Sequence, residues 1–171
     1  YRIDPSFRHD FDEDFYISGG AGYRYTEQER IGASDEDSEG FVFDLSFHRA
    51  WKRSSATLLL SKDQYSTADR RSIDRDRVTV RGRYQLTKRL DSNLSMTFRR
   101  NRTDDDDNTN NDSNYYAISP GMSYMLTTKI SLNLSVDYSE YHYEDDNKDD
   151  REQFRGRLAI SMGWPRLLSG K

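Results

Sequence analysis

The feature that most constrains this chain is an alternation of apolar and polar residues with a period of two. In residues 130–139, apolar side chains occupy every even position, and Ser, Asn or Asp occupies every odd position. Successive side chains of a β-strand point to opposite faces, so this segment predicts a strand with one apolar and one polar face. The same pattern recurs at 15–26, 41–47, 78–86, 94–98, 116–126 and 156–164.

Two weaker segments, 1–9 and 54–65, complete a series of about nine predicted strands, most of them near the roughly 9 to 11 residues that a tilted strand needs to span a bilayer. Short turns are predicted at 11–14, 49–53, 87–89 and 127–129, and long polar loops at 27–40, 66–77, 101–114 and 144–152. Short turns on one side and long loops on the other are typical of outer-membrane barrels.

Composition fits this fold better than it fits a disordered chain. Hydrophobic and charged residues each make up 33% of the sequence, but aromatic residues reach 13%, and disordered chains are poor in aromatics. A membrane barrel resolves the conflict because only every second strand position must suit lipid. No apolar stretch approaches the roughly 18 residues of a membrane helix. Any secretory signal is expected to have been removed or to precede Tyr1.

The sequence therefore predicts an all-β fold, an antiparallel up-and-down transmembrane β-barrel in one domain, 1–171. About 8 to 10 strands are expected in this chain, as a barrel by itself or as part of a larger one. The alternative is a soluble β-sandwich whose core holds the aromatic rings.

Charged and histidine side chains fall at the inward positions of the predicted strands. These candidate lumen-lining residues are Arg24, Asp44, His48, Arg81, Arg83, Arg99, Asp137, Arg155 and Arg157. They either pair across a narrow barrel or line a hydrated passage. In the second case an excess of arginine would attract anions.

The predicted long loops are rich in carboxylates, which are the ligands that Ca²⁺ prefers. The candidate metal ligands are Asp104, Asp105, Asp106 and Asp107. The alternative is a solvated acidic loop, because the spacing of a helix-loop-helix calcium site is absent. No cofactor is predicted, and the absence of cysteine excludes disulfides and thiolate chemistry.

Enzymatic and nucleic-acid functions are not expected. The sequence has no glycine-rich phosphate loop, zinc-ligand spacing or catalytic serine motif. His142, with Glu140, Asp145 and Asp146 nearby, is the best candidate for a general base, but such proximity arises by chance in so acidic a chain. A net charge of −4 argues against nucleic-acid binding.

Two segments, 84–100 and 124–143, each contain an aromatic residue, a Leu-Thr-x-basic turn and a strand of alternating Leu or Met. They resemble outer-membrane β-barrel proteins of Gram-negative bacteria, particularly those encoded with exopolysaccharide or capsule export systems. The resemblance implies location in the cell outer membrane and a porin-like or export-associated passage for small solutes or polysaccharide. It implies outer-membrane lipid, lipopolysaccharide and other envelope or export proteins as partners, and no site residue carries over from it. The alternative is a closed structural barrel that presents acidic loops to a partner or to lipopolysaccharide.

Overall fold

A computed structural model describes residues 2–3, 5–28, 36–66, 72–104, 112–143 and 149–163. These residues form ten strands: β1 (Arg2–Ile3), β2 (Ser6–Asp10), β3 (Phe15–Gln28), β4 (Glu36–Trp51), β5 (Ser54–Ser66), β6 (Ser72–Gln85), β7 (Leu90–Asp104), β8 (Ser113–Met125), β9 (Ile130–Tyr143) and β10 (Arg151–Met162). The strands form one antiparallel sheet in the order β1-β3-β4-β5-β6-β7-β8-β9-β10, with β2 also paired to β3. The up-and-down topology confirms the predicted fold class. The described part of the chain contains no apolar helix of membrane-spanning length.

The first two strands are one strand interrupted at Pro5. Ile3 pairs with Tyr23 and Ser6 pairs with Gly20, which is the same register on both sides of the interruption. The Ala21 N–H donates to the Pro5 carbonyl at 3.2 Å, but proline has no N–H to return. The sheet therefore has nine strand positions, as the periodicity predicted.

The sheet is open rather than closed. Its two edges are the β1/β2 strand and β10, and no pairing between them occurs among the residues that the structure describes. The fold is thus a barrel-type sheet in which the first strand and the last strand each have one unpaired side.

The repeated Leu-Thr-x-basic sequence forms the same turn twice. The Thr87 hydroxyl accepts the N–H groups of Arg89 and Leu90 at 3.2 and 3.1 Å. The Thr127 hydroxyl accepts those of Lys129 and Ile130 at the same distances. A short hydroxyl side chain that bonds backbone two and three residues ahead fixes a tight turn, and this explains the sequence echo.

At the end of the sheet that is remote from the short turns, the strands are longer than the sequence predicted. The described parts of the connections expected at 27–40 and 66–77 are strand, because β3 continues to Gln28, β4 begins at Glu36 and β6 begins at Ser72. Backbone pairing does not require apolar side chains, and the charged ends of these strands pair with each other. Lys62 Nζ lies 3.3 Å from Asp74 Oδ2, and an Arg102 nitrogen lies 3.1 Å from Asp76 Oδ2.

The register gives the sheet one apolar face and one polar face. Val42 is the one buried hydrophobic residue in the described ranges, and it lies on the polar face. Large apolar side chains of the other face remain exposed, with Leu158 and Ile160 both 68% accessible. No second sheet covers this face within the described ranges, so the β-sandwich alternative is wrong. A contiguous apolar surface of this extent is foreign to soluble monomers and typical of a lipid-facing wall.

Aromatic residues of the apolar face form two bands with aliphatic residues between them. The band near the short turns contains Phe15, Trp51, Tyr84 and Tyr124. The band near the other end contains Tyr23, Phe41, Phe98, Tyr116, Tyr138 and Phe154. Along β8 the bands are about 26 Å apart, or roughly 20 Å along the axis of a barrel with strands tilted by about 40°. This separation fits a bilayer core.

Two glycines of the apolar face provide a matched test of the packing between strands. A Cβ at Gly19 would lie 2.5 Å from the Asp44 carbonyl oxygen, whereas a Cβ at Gly82 meets nothing within 4 Å. We expect Gly19→Ala to destabilise the folded protein by about 1–3 kcal/mol, because backbone must move. We expect Gly82→Ala to change stability by less than about 1 kcal/mol. Urea unfolding from lipid vesicles measures both, and equal effects would contradict this strand contact.

The assignment of the two faces predicts opposite responses to a new charge. Leu134 lies in the aliphatic band on β9, and Ser139 lies on the polar face of the same strand. We expect Leu134→Arg to destabilise the vesicle-inserted protein by about 2–4 kcal/mol, and Ser139→Arg to have little effect. Folding yield in vesicles, measured by urea titration, distinguishes them. A larger loss for Ser139→Arg would reverse the assignment.

Candidate functional site

The polar face of the sheet carries the candidate functional site. The register places all nine predicted lumen residues on this face: Arg24, Asp44, His48, Arg81, Arg83, Arg99, Asp137, Arg155 and Arg157. It is the face that a transmembrane barrel encloses. Their shared placement follows from the strand alternation, since register partners in an antiparallel sheet point to the same side.

These residues lie at successive levels along the strands. Nearest the short turns are Arg83, which is opposite Ser55, and Arg157, which is opposite Ser135. The next level contains the register partners His48, Thr57 and Arg81, with Arg155 opposite Asp137. Towards the other end come Asp44 and Arg99, and then Arg24 opposite Gly40. The charged residues are therefore spread along the whole polar face.

Few of these charges are paired. Arg83 lies 2.9 Å from Asp91, and Arg24 lies 3.9 Å from Asp63 while donating to the Gln64 carbonyl oxygen. His48 is held by neutral groups: its Nδ1 is 2.9 Å from the Thr57 hydroxyl, and its ring stacks on Tyr16 at 4.9 Å between centroids. The remaining six predicted residues make no ion pair with another described residue: Asp44, Arg81, Arg99, Asp137, Arg155 and Arg157.

Arginine exceeds carboxylate on this face. Among the described side chains, the arginines are Arg8, Arg24, Arg75, Arg77, Arg81, Arg83, Arg99, Arg151, Arg155 and Arg157. The carboxylates are Asp10, Asp44, Asp63, Asp91 and Asp137. A surface with this excess has a positive potential and attracts anions.

The sequence analysis missed part of the site. Arg75 and Arg77 were placed in a predicted loop, but they belong to β6 and share the polar face with Arg99. Extending the period-two alternation backwards from Val78 would have found both. Tyr115 and Tyr141, on β8 and β9, were also missed, because only the register shows that they lie beside Arg99.

A groove of about 290 Å³ lies on the polar face between β8 and β10. Its floor includes the small side chains of Ala117, Ser119 and Ser139, which leave open space above the sheet. Tyr115 and Arg155 also line it. A second groove, of about 180 Å³, contains Asp44 and Asp63 on one side and Arg75 and Arg77 on the other. The polar face therefore has room for small solutes beside its charged groups.

Most of the predicted metal ligands lie outside the described residues. Asp104 is the last residue of β7, and Asp105, Asp106 and Asp107 lie outside the described residues. The described ranges contain no cluster of three or more His, Cys, Asp or Glu side chains suited to a metal ion. Calcium binding by this loop stays a prediction.

His142 lies at the end of β9, on the side of the sheet that carries the apolar band. Its Nδ1 is 2.7 Å from Asp150 Oδ2, and the Tyr143 N–H donates to Asp150 Oδ1 at 3.1 Å. The bonds from His142 and then from the Tyr143 N–H hold the pKa of Asp150 below its ordinary value. The predicted neighbours Asp145 and Asp146 lie outside the described residues. The observed contact joins the end of β9 to the residue before β10.

Comparison with known proteins supports the fold. No family model and no curated protein matches the sequence. A similar solved structure is the outer-membrane expressed OmpT of Vibrio cholerae, with a TM-score of 0.62 and 12% sequence identity. The similarity covers 95% of this chain and 56% of that chain, so this chain spans little more than half of the neighbour's length. The chain thus has the fold of an outer-membrane β-barrel protein.

Proposed function

We propose that this chain forms part of the wall of a β-barrel in a Gram-negative outer membrane, and that its polar face lines a porin-like passage for anionic solutes. The observation that carries the proposal is the excess of arginine over carboxylate on the polar face, most of it without ion-pair partners in the described structure. A low-dielectric wall with an excess of one charge sign concentrates counter-ions inside the passage.

The membrane location rests on the apolar face. Its aliphatic residues lie between two aromatic bands at the spacing of a bilayer core, and no described protein element covers them. The likeness to an outer-membrane protein supports the same location. Lipid and lipopolysaccharide are therefore the proposed surroundings of this face.

The open edges bear on the size of the passage. Unpaired backbone groups in hydrocarbon cost several kcal/mol each, so β10 and the β1/β2 strand must find partners in the membrane. An eight-stranded barrel is about filled by its own side chains, and nine strands closed on themselves would be little wider. We propose that further strands pair with these edges and enclose a wider, hydrated barrel. Its width decides between small anions and an anionic polysaccharide as the solute.

We propose no enzymatic activity for the described surface. The candidate base His142 is hydrogen-bonded to Asp150, beyond the aromatic band and away from the polar face. In the described structure His142 bonds no hydroxyl group that could act as a nucleophile. The contact instead supports the end of the strand.

The proposal predicts channel activity with anion preference. Purified protein in planar bilayers is expected to give stepwise conductance, and its reversal potential in a salt gradient should show that chloride permeates better than potassium. Replacing both Arg81 and Arg83 with Ser should move the reversal potential towards zero, because two positive charges leave the wall.

The matched control is Lys88→Ser with Arg89→Ser, which removes the same charge from a short turn outside the sheet. This control should shift the reversal potential less than replacing Arg81 and Arg83 with Ser does. Bilayers that stay silent at all voltages would contradict the passage. Unchanged selectivity in the Arg81 and Arg83 double variant would contradict the role of these arginines.

A further inference from the structure

One row of register partners on the polar face combines positive charge with aromatic rings. Arg77 of β6 pairs with Arg99 of β7, Arg99 pairs with Tyr115 of β8, and Tyr115 pairs with Tyr141 of β9. All four side chains are half-buried. The row lies at the end of the aliphatic band that is remote from the short turns.

Arg77 and Arg99 are like charges placed directly opposite each other. Side chains at such positions are separated by about 5 Å at Cβ, and like charges there destabilise a sheet. Neither residue forms an ion pair with a carboxylate of the described chain. Asp44 and Asp63 line the same groove as Arg77 but form no ion pair with it. The fold therefore keeps two positive charges opposite each other with no described ion pair to either of them.

Arg99 is oriented by neutral groups. Its Nη2 donates to the Tyr141 hydroxyl at 3.1 Å, and its guanidinium carbon lies 4.6 Å from the Tyr115 ring centre and 5.6 Å from that of Tyr141. The Arg99 Nε is buried and has no hydrogen-bond partner. These contacts fix the guanidinium plane and leave its charge without an ion-pair partner among the described residues.

We infer that Arg77 and Arg99 form a binding site for the oxyanion group of a solute, a carboxylate or a phosphate. Planar guanidinium groups bind such groups through paired N–H donors, and the bound charge would offset the repulsion between the two arginines. The groove lined by Tyr115, Ala117 and Ser139 begins next to this row and has room for the body of the solute. The inference deepens the proposed function and depends on it only for how the solute arrives.

Binding is tested with the full chain folded in detergent micelles, with inorganic phosphate and acetate as probes and chloride at equal ionic strength as the reference. Thermal unfolding is followed by tryptophan fluorescence, since a ligand that binds the folded state raises the unfolding temperature. The unfolding temperature is expected to rise with phosphate or acetate and not with chloride. The probe with the larger rise identifies the oxyanion class, and no rise with either would overturn the site.

Two substitutions locate the effect. Arg99→Ser and Arg77→Ser are each expected to weaken probe binding at least about tenfold, the loss that follows when one charge-assisted bond of roughly 1.5–3 kcal/mol is removed. Lys88→Ser with Arg89→Ser, which removes two cations from a short turn, should keep the wild-type response. An equal loss in this control would show a general charge effect and overturn the local site.

The like-charge contact gives a second measurement that does not depend on binding. In chloride alone, Arg77→Ser should unfold at the same temperature as the wild type or at a higher one, because the repulsion is gone. A clearly lower temperature would show that Arg77 has a stabilising partner and would overturn the inference.

If Arg99→Ser fails to fold, Arg99→Lys keeps the charge but loses the planar fork, and it should still bind the probes more weakly.

Bilayer recordings separate this inference from the proposed function. Protein that binds phosphate in micelles but conducts nothing would contradict the passage and leave the site intact. Protein that conducts but shows no response to phosphate or acetate would contradict the site alone.

Discussion

The structure depends on one constraint: in a bilayer every backbone N–H and C=O group must bond within protein. Each strand from β3 to β9 meets it by pairing with a neighbouring strand on both sides. Between β8 and β9 the pairing is interrupted at Ser119 and Pro120, because proline has no N–H to donate. Pro5 has no N–H to donate, but it lies on an edge strand, where the loss of one backbone hydrogen bond costs least. The outer sides of the β1/β2 strand and β10 are where the constraint is still unmet in the described ranges. The proposed pairing of these edges with other strands rests on backbone chemistry and does not depend on any side chain.

A single register links the two faces of the sheet. Because side chains alternate, a shift of one residue would move every aliphatic residue to the polar face and every arginine towards lipid. The threonine turns at Thr87 and Thr127 hold this register at one end of the hairpins. Ion pairs such as Lys62 with Asp74 extend the pairing beyond the apolar band at the other end. The lipid-facing surface and the arginine-rich surface are thus consequences of the same pairing.

Much of this arrangement could be predicted from the sequence, and the parts that could not have physical reasons. Segments such as 15–26 and 130–139 show their two faces through alternation alone, so the face of Arg81 or Asp137 followed directly. Arg77 was missed because charged residues mask the alternation at the start of β6, and a solvated loop has the same composition. The row from Arg77 to Tyr141 joins four strands, and only their register brings it together. Closure could not be predicted because it depends on what pairs with the edges.

The central claim is that one face of the sheet contacts lipid and the other contacts water. The natural chain has no cysteine, so single cysteines can be placed at each position from 130 to 139 and spin-labelled in protein reconstituted into lipid vesicles. Accessibility to oxygen, which concentrates in lipid, is then compared with accessibility to a water-soluble nickel complex. The account predicts oxygen access at even positions and nickel access at odd positions. Equal access at neighbouring positions, or nickel access throughout, would contradict it.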